Sequence, residues 1–372
     1  MNLTAEQKLV EDMVRKFTKT DLQPIASELD KTASFPHNVI KKLSDLGFMG
    51  IMVPETYIGA ALDALSYSII IEELSKSLAS IGLILAAHNG LVVHSILKYG
   101  NEKQKTNLLP RLSSGEAIGA FCLTEEHSGY DFTKIETKAE KLNNDYILHG
   151  EKHFVVNAET AALFIVFARI GDSLSAFLIE KGTDGLEVSN REEVLGMRAS
   201  GICNLRLNGV KVGVENVLGN EGDGLRIAEE AISFANLGIA SLAVGICQAS
   251  FDDSLRYSKE RHQFGHPICD FQLVQEMLVK MKIGVTQSRL LVRNTASKYD
   301  TGDDTQLDIA MAKLCATNSA MQSAIKAIQV HGGYGYTKDY PVERYFRDAK
   351  VSQVWGGTSI DHKLKIAQKL LD

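Results

Sequence analysis

Cysteines are few in this sequence of 372 residues, and their arrangement excludes a disulfide framework and the usual cysteine zinc site. The five form no CxxC pair and are odd in number: Cys122, Cys203, Cys247, Cys269 and Cys315. Such usage predicts buried thiols in a reducing compartment. No HxxxH pair lies on one helix face beside a carboxylate, so the sequence predicts no metal site.

An excess of positive charge and a long uninterrupted apolar run are also missing. The net charge of −6 gives no reason to expect nucleic acid or an anionic membrane as a partner. The longest apolar run, 81–97, contains His88, Asn89 and His94, which favours a buried helix over a membrane span. The acidic N-terminus MNLTAEQKLVED does not resemble a signal peptide, so we expect a cytoplasmic protein. GxGxxG, P-loop and GxSxG motifs are absent as well.

The sequence divides into three regions that differ in the periodicity of their apolar residues. Residues 1–118 have helical periodicity and begin with a capping box of Thr4 and Gln7. Residues 119–220 contain six short β-branched or alternating runs, with hairpin-type turns expected at 143–145 and 208–209, which predicts an antiparallel sheet or barrel.

Residues 221–372 are helical again, and their elements are long. The apolar spacing predicts helices over 227–259, 271–299, 306–330 and 358–371. Four such helices indicate a four-helix bundle. A β domain between two helical domains creates seams, and domain seams favour ligand sites.

Four stretches contain residues suited to chemistry or ligand binding. They are FCLTEEHSGYD (121–131), GEKHFVVNA (150–158), RYSKERHQFGHPICDFQ (256–272) and QVHGGYGYTKDYPVERYFRDAK (329–350). Arginine and an aromatic ring at a helix end suit a pyrophosphate and a purine. Taken one at a time, the four stretches are also consistent with purely structural roles: in order, a strand-to-loop turn, a plain strand, a solvated helix end and an ion-pair cluster.

In this order and spacing, the four stretches resemble the acyl-CoA dehydrogenase family. The family patterns are roughly L-T-E-P-x-A-G-S-D, K-x-W-I-T-N, E-R-x-x-F-G-x-P-I-x-x-F-Q and Q-x-x-G-G-x-G-Y followed by Y-P-V-E-R-x-x-R-D-A-K. The third and fourth stretches match most closely, and the resemblance covers essentially the whole chain.

The resemblance implies an α+β fold with an N-terminal helical domain, a middle antiparallel β domain and a C-terminal four-helix bundle. It implies FAD between the β domain and the bundle, and a homotetramer built as a dimer of dimers. The implied substrate is an acyl thioester, on CoA or on a carrier protein, as in fatty acid metabolism. Electron-transferring flavoprotein is the implied electron partner.

The family's contacts carry over to matching positions of this sequence. Thr124 would face the flavin ring, and Arg261 and Phe264 would reach the FAD of a neighbouring subunit. The full implied cofactor set is Thr124, Tyr130, Phe154, Val156, Arg261, Phe264, Gln272, Gln329, Gly332, Gly333 and Thr358. Asn236, Leu83 and Trp355 are the implied substrate-side residues.

One family feature is missing from the stretch VWGGTSI (354–360). Relatives commonly have I-Y-E-G-T-S here, and Gly356 stands where most carry the catalytic glutamate. That carboxylate removes the acyl α-proton while the β-hydrogen leaves as hydride, and glycine supplies no base. The Gly356 backbone N–H remains, however, and would still polarise a thioester carbonyl.

Other positions near this site also depart from the family. Some relatives place the glutamate at the position of Ala235, and arginine is common at Asn236. Val156 replaces a threonine, and Tyr130 replaces a serine. These changes predict altered chemistry or substrate, with Glu126 and His127 as candidate replacement bases.

Three alternatives remain open on the sequence alone. A desulfinase acting on a sulfinated acyl-CoA also lacks the glutamate, but it holds the sulfinate with an arginine where this chain has Leu83. A non-catalytic thioester- or flavin-binding paralogue is the second alternative. An engineered removal of the base would account for Gly356, but not for Val156, Tyr130 and Asn236.

Overall fold

The computed structural model describes residues 3–371. Within that range the α-helices are α1 Ala5–Phe17, α2 Ala26–Thr32, α3 His37–Asp45, α4 Ala64–Ser75, α5 Ala79–Leu85, α6 His94–Tyr99, α7 Glu102–Ser113, α8 Gly224–Glu260, α9 Gln272–Asp300, α10 Gln306–His331, α11 Val342–Ser352 and α12 Ser359–Leu371. The strands are β1 Gly119–Cys122, β2 Lys138–Leu142, β3 Asp145–Val155, β4 Leu163–Ile170, β5 Ser173–Glu180, β6 Leu186–Arg191, β7 Cys203–Gly213, β8 Val217–Leu218, β9 His262–Gln263 and β10 His266–Pro267. The order helices, strands, helices is the one predicted.

The N-terminal helices begin and pack as their sequence indicates. The capping box of Thr4 and Gln7 forms at the start of α1. A π-helical segment, Ala86–Val93, joins α5 to α6 into one continuous helical run. Two helical runs, Ala79–Tyr99 and Gly224–Glu260, are long and apolar enough to cross a membrane, but 89% and 94% of their apolar windows are buried inside the protein. Their apolarity is thus accounted for by packing against each other and against the rest of the core.

The middle sheet has the strand order β6-β7-β3-β2-β4-β5-β8, with β1 paired to β4. Most pairs are antiparallel as predicted, but β1 and β2 each run parallel to β4. The predicted turn at Asn143 and Asn144 is confirmed between β2 and β3. The predicted turn at 208–209 is wrong, because β7 runs straight through it. Gly209 is instead the extra residue of a β-bulge opposite His149, with a φ of +71°.

The sheet is buried on both faces, as β4 shows. Leu163, Ile165 and Phe167 point into the core shared with the helices. Phe164 and Val166, alternating with them, belong to a second apolar core enclosed by the curved sheet. Toward the helices, β1 packs against the π-helical segment Ala86–Val93 and β5 packs against α8.

The C-terminal region contains the predicted long helices and one more. Helices α8, α9 and α10 pack on one another, and α11 packs against both α8 and α10. The fourth helix predicted for the bundle, at 358–371, corresponds to α12, which packs on α10. The loop between α11 and α12 contains the glycine pair, so the fold brings that loop beside α8 and α10.

Candidate active site

The loop between α11 and α12 has a conformation that requires glycine. Gly356 has a φ of +66° and Gly357 a φ of +107°. L-residues with a side chain rarely adopt such values. Beyond the loop, Thr358 and Asp361 cap α12 reciprocally, as the Thr358 N–H donates to Asp361 Oδ2 at 2.7 Å and the Asp361 N–H to Thr358 Oγ1 at 3.3 Å. The glycine pair is therefore held in a fixed turn before a capped helix.

Asn236 of α8 occupies the space in which a side chain at position 356 would begin. Its Nδ2 donates to the Gly356 carbonyl at 2.9 Å. A Cβ built on Gly356 would overlap Asn236 Oδ1. Asn236 is only 2% exposed, and Oδ1 has no hydrogen-bond partner among the described residues. The asparagine and the glycine thus fit each other, and neither carries a carboxylate.

Tyr130 lies against the second glycine of the pair. Its Cζ is 3.0 Å from the position of a Cβ on Gly357, and His362 Nε2 is 3.1 Å from the same position. Burial, with smaller contributions from the negative charges of Asp361 and Glu229, raises the pKa of Tyr130 to about 12. The phenol is therefore protonated at neutral pH.

A buried lysine holds the loop from the other side. Lys313 of α10 donates to the carbonyls of Trp355 and Gly357 at 2.5 and 2.7 Å, and its Nζ is 2.9 Å from His362 Nε2. Burial lowers the pKa of Lys313 to about 7. Burial and the adjacent lysine lower the pKa of His362 to about 4, so its ring is neutral at pH 7.

The strand-end residues predicted to face a cofactor do converge. The Thr124 carbonyl accepts a hydrogen bond from the His153 N–H at 2.8 Å, which joins the loop after β1 to the end of β3. Phe154 has a φ of +53° at a register shift between β3 and β7, and its side chain is 60% exposed. Val156 is buried. An aromatic ring turned outward by irregular backbone is typical of a ligand rim.

A buried ion pair lies beneath the same loop. Glu125 accepts from Lys152 Nζ at 2.6 Å, from the Glu136 N–H at 2.5 Å and from the Thr137 N–H at 3.0 Å. Although burial raises the pKa of Glu125, Lys152 and the other donors more than offset this, and the pKa lies below its ordinary value. Burial lowers the pKa of Lys152 to about 8. The pair fixes the loop that carries Thr124.

A second group of predicted residues surrounds a cavity of 470 Å³ where α8 and α10 end. Its lining includes Arg261, Gly332, Gly333 and Tyr334. Gly332 has a φ of +59° and a ψ of −135°, and a Cβ on either glycine would meet no other atom within 4 Å. Internal packing therefore does not explain why these positions are glycine. The Arg261 guanidinium lies 5.8 Å from the Tyr334 ring centroid.

This second group lies far from the glycine loop. Asn236 is separated from Glu260, the last residue of α8, by 24 residues of helical rise at about 1.5 Å each, or roughly 36 Å. Phe264 extends from the β9–β10 hairpin beyond that end and is 89% exposed. Gln272 and Gln329 are also exposed. Within one chain, the two groups do not form a single compact site.

The other four residues predicted for the site differ in their burial and in their contacts with the glycine loop. Glu126 and His127 are exposed on the loop after β1 and bond to none of the residues 354–359. Trp355 is half-buried, and its carbonyl rather than its ring makes the contact to Lys313. Leu83 is fully buried in the apolar core. Among residues 3–371, no three His, Cys, Asp or Glu side chains are grouped so as to hold a metal.

The sequence reasoning missed Lys313, His362 and the pair of Glu125 with Lys152. A signal for Lys313 was present, because it interrupts a stripe of small residues, Ala310, Ala316 and Ala320, that faces the bundle core. A lone charge on an apolar helix face indicates a buried polar partner.

Models of three domains of one family match the chain in order. They are the acyl-CoA dehydrogenase N-terminal domain at residues 4–116, the middle domain at 120–210 and the C-terminal domain at 222–371. Together they span nearly the whole length.

Individual proteins are similar over their full lengths. The short-chain specific acyl-CoA dehydrogenase of Clostridium acetobutylicum is 42% identical over 374 residues, covering 99% of each chain. The solved butyryl-CoA dehydrogenase from Megasphaera elsdenii is 35% identical with a TM-score of 0.98 and covers 100% of each chain. The structure of PigA with FAD and proline is 30% identical, has a TM-score of 0.96 and covers 100% of this chain and 98% of that one.

Proposed function

The chain belongs to the acyl-CoA dehydrogenase family, and from that premise we propose an FAD-dependent oxidoreductase that interconverts saturated and α,β-unsaturated acyl thioesters without a carboxylate at position 356. The acyl group would be attached to CoA or to a carrier protein. The observation that carries the proposal is the glycine loop: its backbone is fixed in place although the side chain that relatives use is absent.

The residues present fit FAD at both groups described above. Thr124 and the outward-turned Phe154 offer a polar edge and an aromatic face to a flavin ring, and Thr358 lies near the loop. Arg261, Gly332 and Gly333 offer a cation and open backbone, which suit a pyrophosphate. When bound, FAD exchanges hydride with the β-carbon of the acyl chain.

The glycine loop would bind the reacting end of the thioester. The Gly356 N–H donates to no acceptor among residues 3–371. The Trp355 carbonyl of the same peptide faces Lys313. Because the peptide is trans, this N–H points away from the lysine. A thioester carbonyl that accepts from it is polarised, which acidifies the α-carbon.

Tyr130 is our candidate for moving the α-proton. It lies against Gly357, whereas Glu126 and His127 form no hydrogen bond to residues 354–359. Its protonated phenol suits donation to the α-carbon after hydride has reached the β-carbon, and the reverse step returns the proton to Tyr130. The raised pKa makes ionised Tyr130 scarce at neutral pH, so α-proton removal from the saturated thioester is expected to be slow.

The proposed function is tested with the purified full-length protein under anaerobic conditions. We expect a yellow protein whose flavin is bleached slowly by butyryl-CoA and, once reduced with dithionite, is reoxidised by crotonyl-CoA. A panel of chain lengths and 3-sulfinopropionyl-CoA completes the experiment. A colourless protein that takes up no FAD, or a flavin indifferent to every thioester, contradicts the proposal. Sulfite release from the sulfinated substrate would favour the desulfinase instead, although buried Leu83 offers that anion no cation.

Tyr130→Phe removes the phenol and keeps the ring that packs on Gly357. If Tyr130 moves the α-proton, single-turnover rates fall about 100-fold in both directions by the same factor, because one proton transfer serves both. The control is Tyr336→Phe at a tyrosine that is 91% exposed. Rates unchanged in Tyr130→Phe would transfer the role to another group.

We also propose a homotetramer and electron-transferring flavoprotein as the electron partner. The roughly 36 Å along α8 from Asn236, beside the glycine loop, to the end of the helix fits the cavity at Arg261 serving a neighbouring subunit's cofactor. Three exposed apolar residues on one face of α9, Val279, Ile283 and Leu290, are available for a subunit contact.

A further inference from the structure

The ammonium of Lys313 has no carboxylate partner within ion-pair distance among residues 3–371. Its side chain is only 1% exposed. A buried cation is costly unless its donors are all satisfied. Here its three N–H donors have three acceptors, the carbonyls of Trp355 and Gly357 and the neutral His362 Nε2. Two of the three hydrogen bonds of Lys313 therefore hold the glycine loop, and the third reaches His362 of α12.

Those bonds fix the orientation of successive peptides. The carbonyls of Trp355 and Gly357 face Lys313, while the carbonyl of Gly356 between them faces Asn236. The Gly356 N–H, at the far side of the peptide whose carbonyl bonds Lys313, has no acceptor within the described part of the chain. A lysine 43 residues earlier in the chain thus determines where this N–H points.

We propose that Lys313 is a positioning residue that orients the Gly356 N–H and, through the peptide between Trp355 and Gly356, strengthens it as a donor to the thioester carbonyl. This inference rests on the proposed function. When Lys313 is protonated, its positive charge is bonded to the Trp355 carbonyl and withdraws electrons from the nitrogen of that peptide, and hydrogen bonds in such a chain reinforce one another. The effect is largest where water is excluded, and Lys313 is fully buried.

If Lys313 acts through the Gly356 N–H, its substitution should weaken the binding of ligands that have a carbonyl much more than the binding of ligands that lack one. The probes are butyryl-CoA and S-butyl-CoA, the thioether in which a methylene replaces the carbonyl. Both are titrated into the FAD-loaded full-length protein and followed by the flavin spectrum. Lys313→Met keeps the length and apolar stem of the side chain but removes the donors. Lys363→Met, at an exposed lysine of α12, removes the same charge without touching the loop.

We expect Lys313→Met to weaken butyryl-CoA binding about tenfold or more, and S-butyl-CoA binding less than about threefold. The infrared carbonyl band of bound butyryl-CoA should also shift back toward its frequency in water. Lys363→Met should change neither. Equal losses for the two ligands would reduce Lys313 to a structural role, and no loss for either would overturn the inference.

Two further arms keep the test informative. If Lys313→Met does not fold, Lys313→Gln, which retains one donor group, replaces it and should give the same ligand-dependent loss. If the wild-type protein binds the thioester no better than the thioether, the proposed function fails at its carbonyl contact, irrespective of the variants. If only the role of Lys313 is wrong, the wild-type protein still binds the thioester more tightly than the thioether.

Discussion

Gly356→Glu alone is expected to gain little dehydrogenase activity, whereas Gly356→Glu combined with Asn236→Gly should raise the rate of flavin reduction by butyryl-CoA about 1,000-fold. In the single variant the new Cβ overlaps Asn236 Oδ1. The residue must also adopt a φ of +66°, which costs a side-chain-bearing residue about 1 kcal/mol. The asparagine is fixed by its bond to the Gly356 carbonyl and cannot retreat without losing it.

Removing the asparagine side chain provides the space for the carboxylate. A positioned general base contributes about 100- to 10,000-fold, which sets the size of the expected gain. The measurement is the anaerobic bleaching rate of the flavin in the four combinations of wild-type and substituted residues. The matched control is Gly356→Gln with Asn236→Gly, which has the same shape without a carboxylate.

Two results would contradict this account. A single Gly356→Glu variant as active as the double one would show that Asn236 does not block the position. Equal rates for the glutamate and glutamine pairs would show that position 356 does not reach the α-carbon.

Local sequence patterns predicted the helices and strands, because periodicity and capping act over a few residues, whereas the residues assigned to the site came from the family resemblance. The capping box of Thr4 and Gln7 and the long C-terminal helices followed from such signals. The misjudged turn at 208–209 shows the limit. Asn-Gly suits a hairpin and a β-bulge alike, and only the pairing of β7 with β3 decides between them.

The contacts that shape the site join residues that are far apart in the sequence, so local patterns do not predict them. Asn236 and Gly356 are 120 residues apart, and their fit depends on the packing of α8 against the loop. The bond of Lys313 to the Trp355 carbonyl likewise depends on α10 passing beneath that loop. Resemblance to the family indicated what position 356 lacks, but not which group now fills the space.

Glu125→Ala is expected to lower the free energy of unfolding by about 3–5 kcal/mol, because it leaves the Lys152 ammonium buried without its carboxylate partner. Lys152 is 0% exposed, so water cannot replace that partner without opening the loop. Glu126→Ala, at the exposed neighbouring position, should change the stability by less than about 0.5 kcal/mol. The free energies of unfolding of the wild type, Glu125→Ala and Glu126→Ala are measured by urea unfolding followed by circular dichroism.

The double variant Glu125→Ala with Lys152→Met separates an uncompensated charge from a lost contact. If the charge causes the loss, the double variant should recover most of the stability of the wild type, since methionine fills the space without needing a partner. A double variant as unstable as Glu125→Ala would instead show that the bonds of Glu125 to the Glu136 and Thr137 N–H groups dominate.

The dependence of stability on pH tests the pair of Glu125 and Lys152 independently. The pKa of Glu125 lies below its ordinary value of 4.5 in the folded protein, so its stabilising contribution is fully present above that value and is lost as the pH falls through the lowered pKa. The stability difference between the wild type and Glu125→Ala should therefore narrow below pH 4.5. A difference that stays constant in acid would mean that the charge of Glu125 is not what holds the Thr124 loop in place.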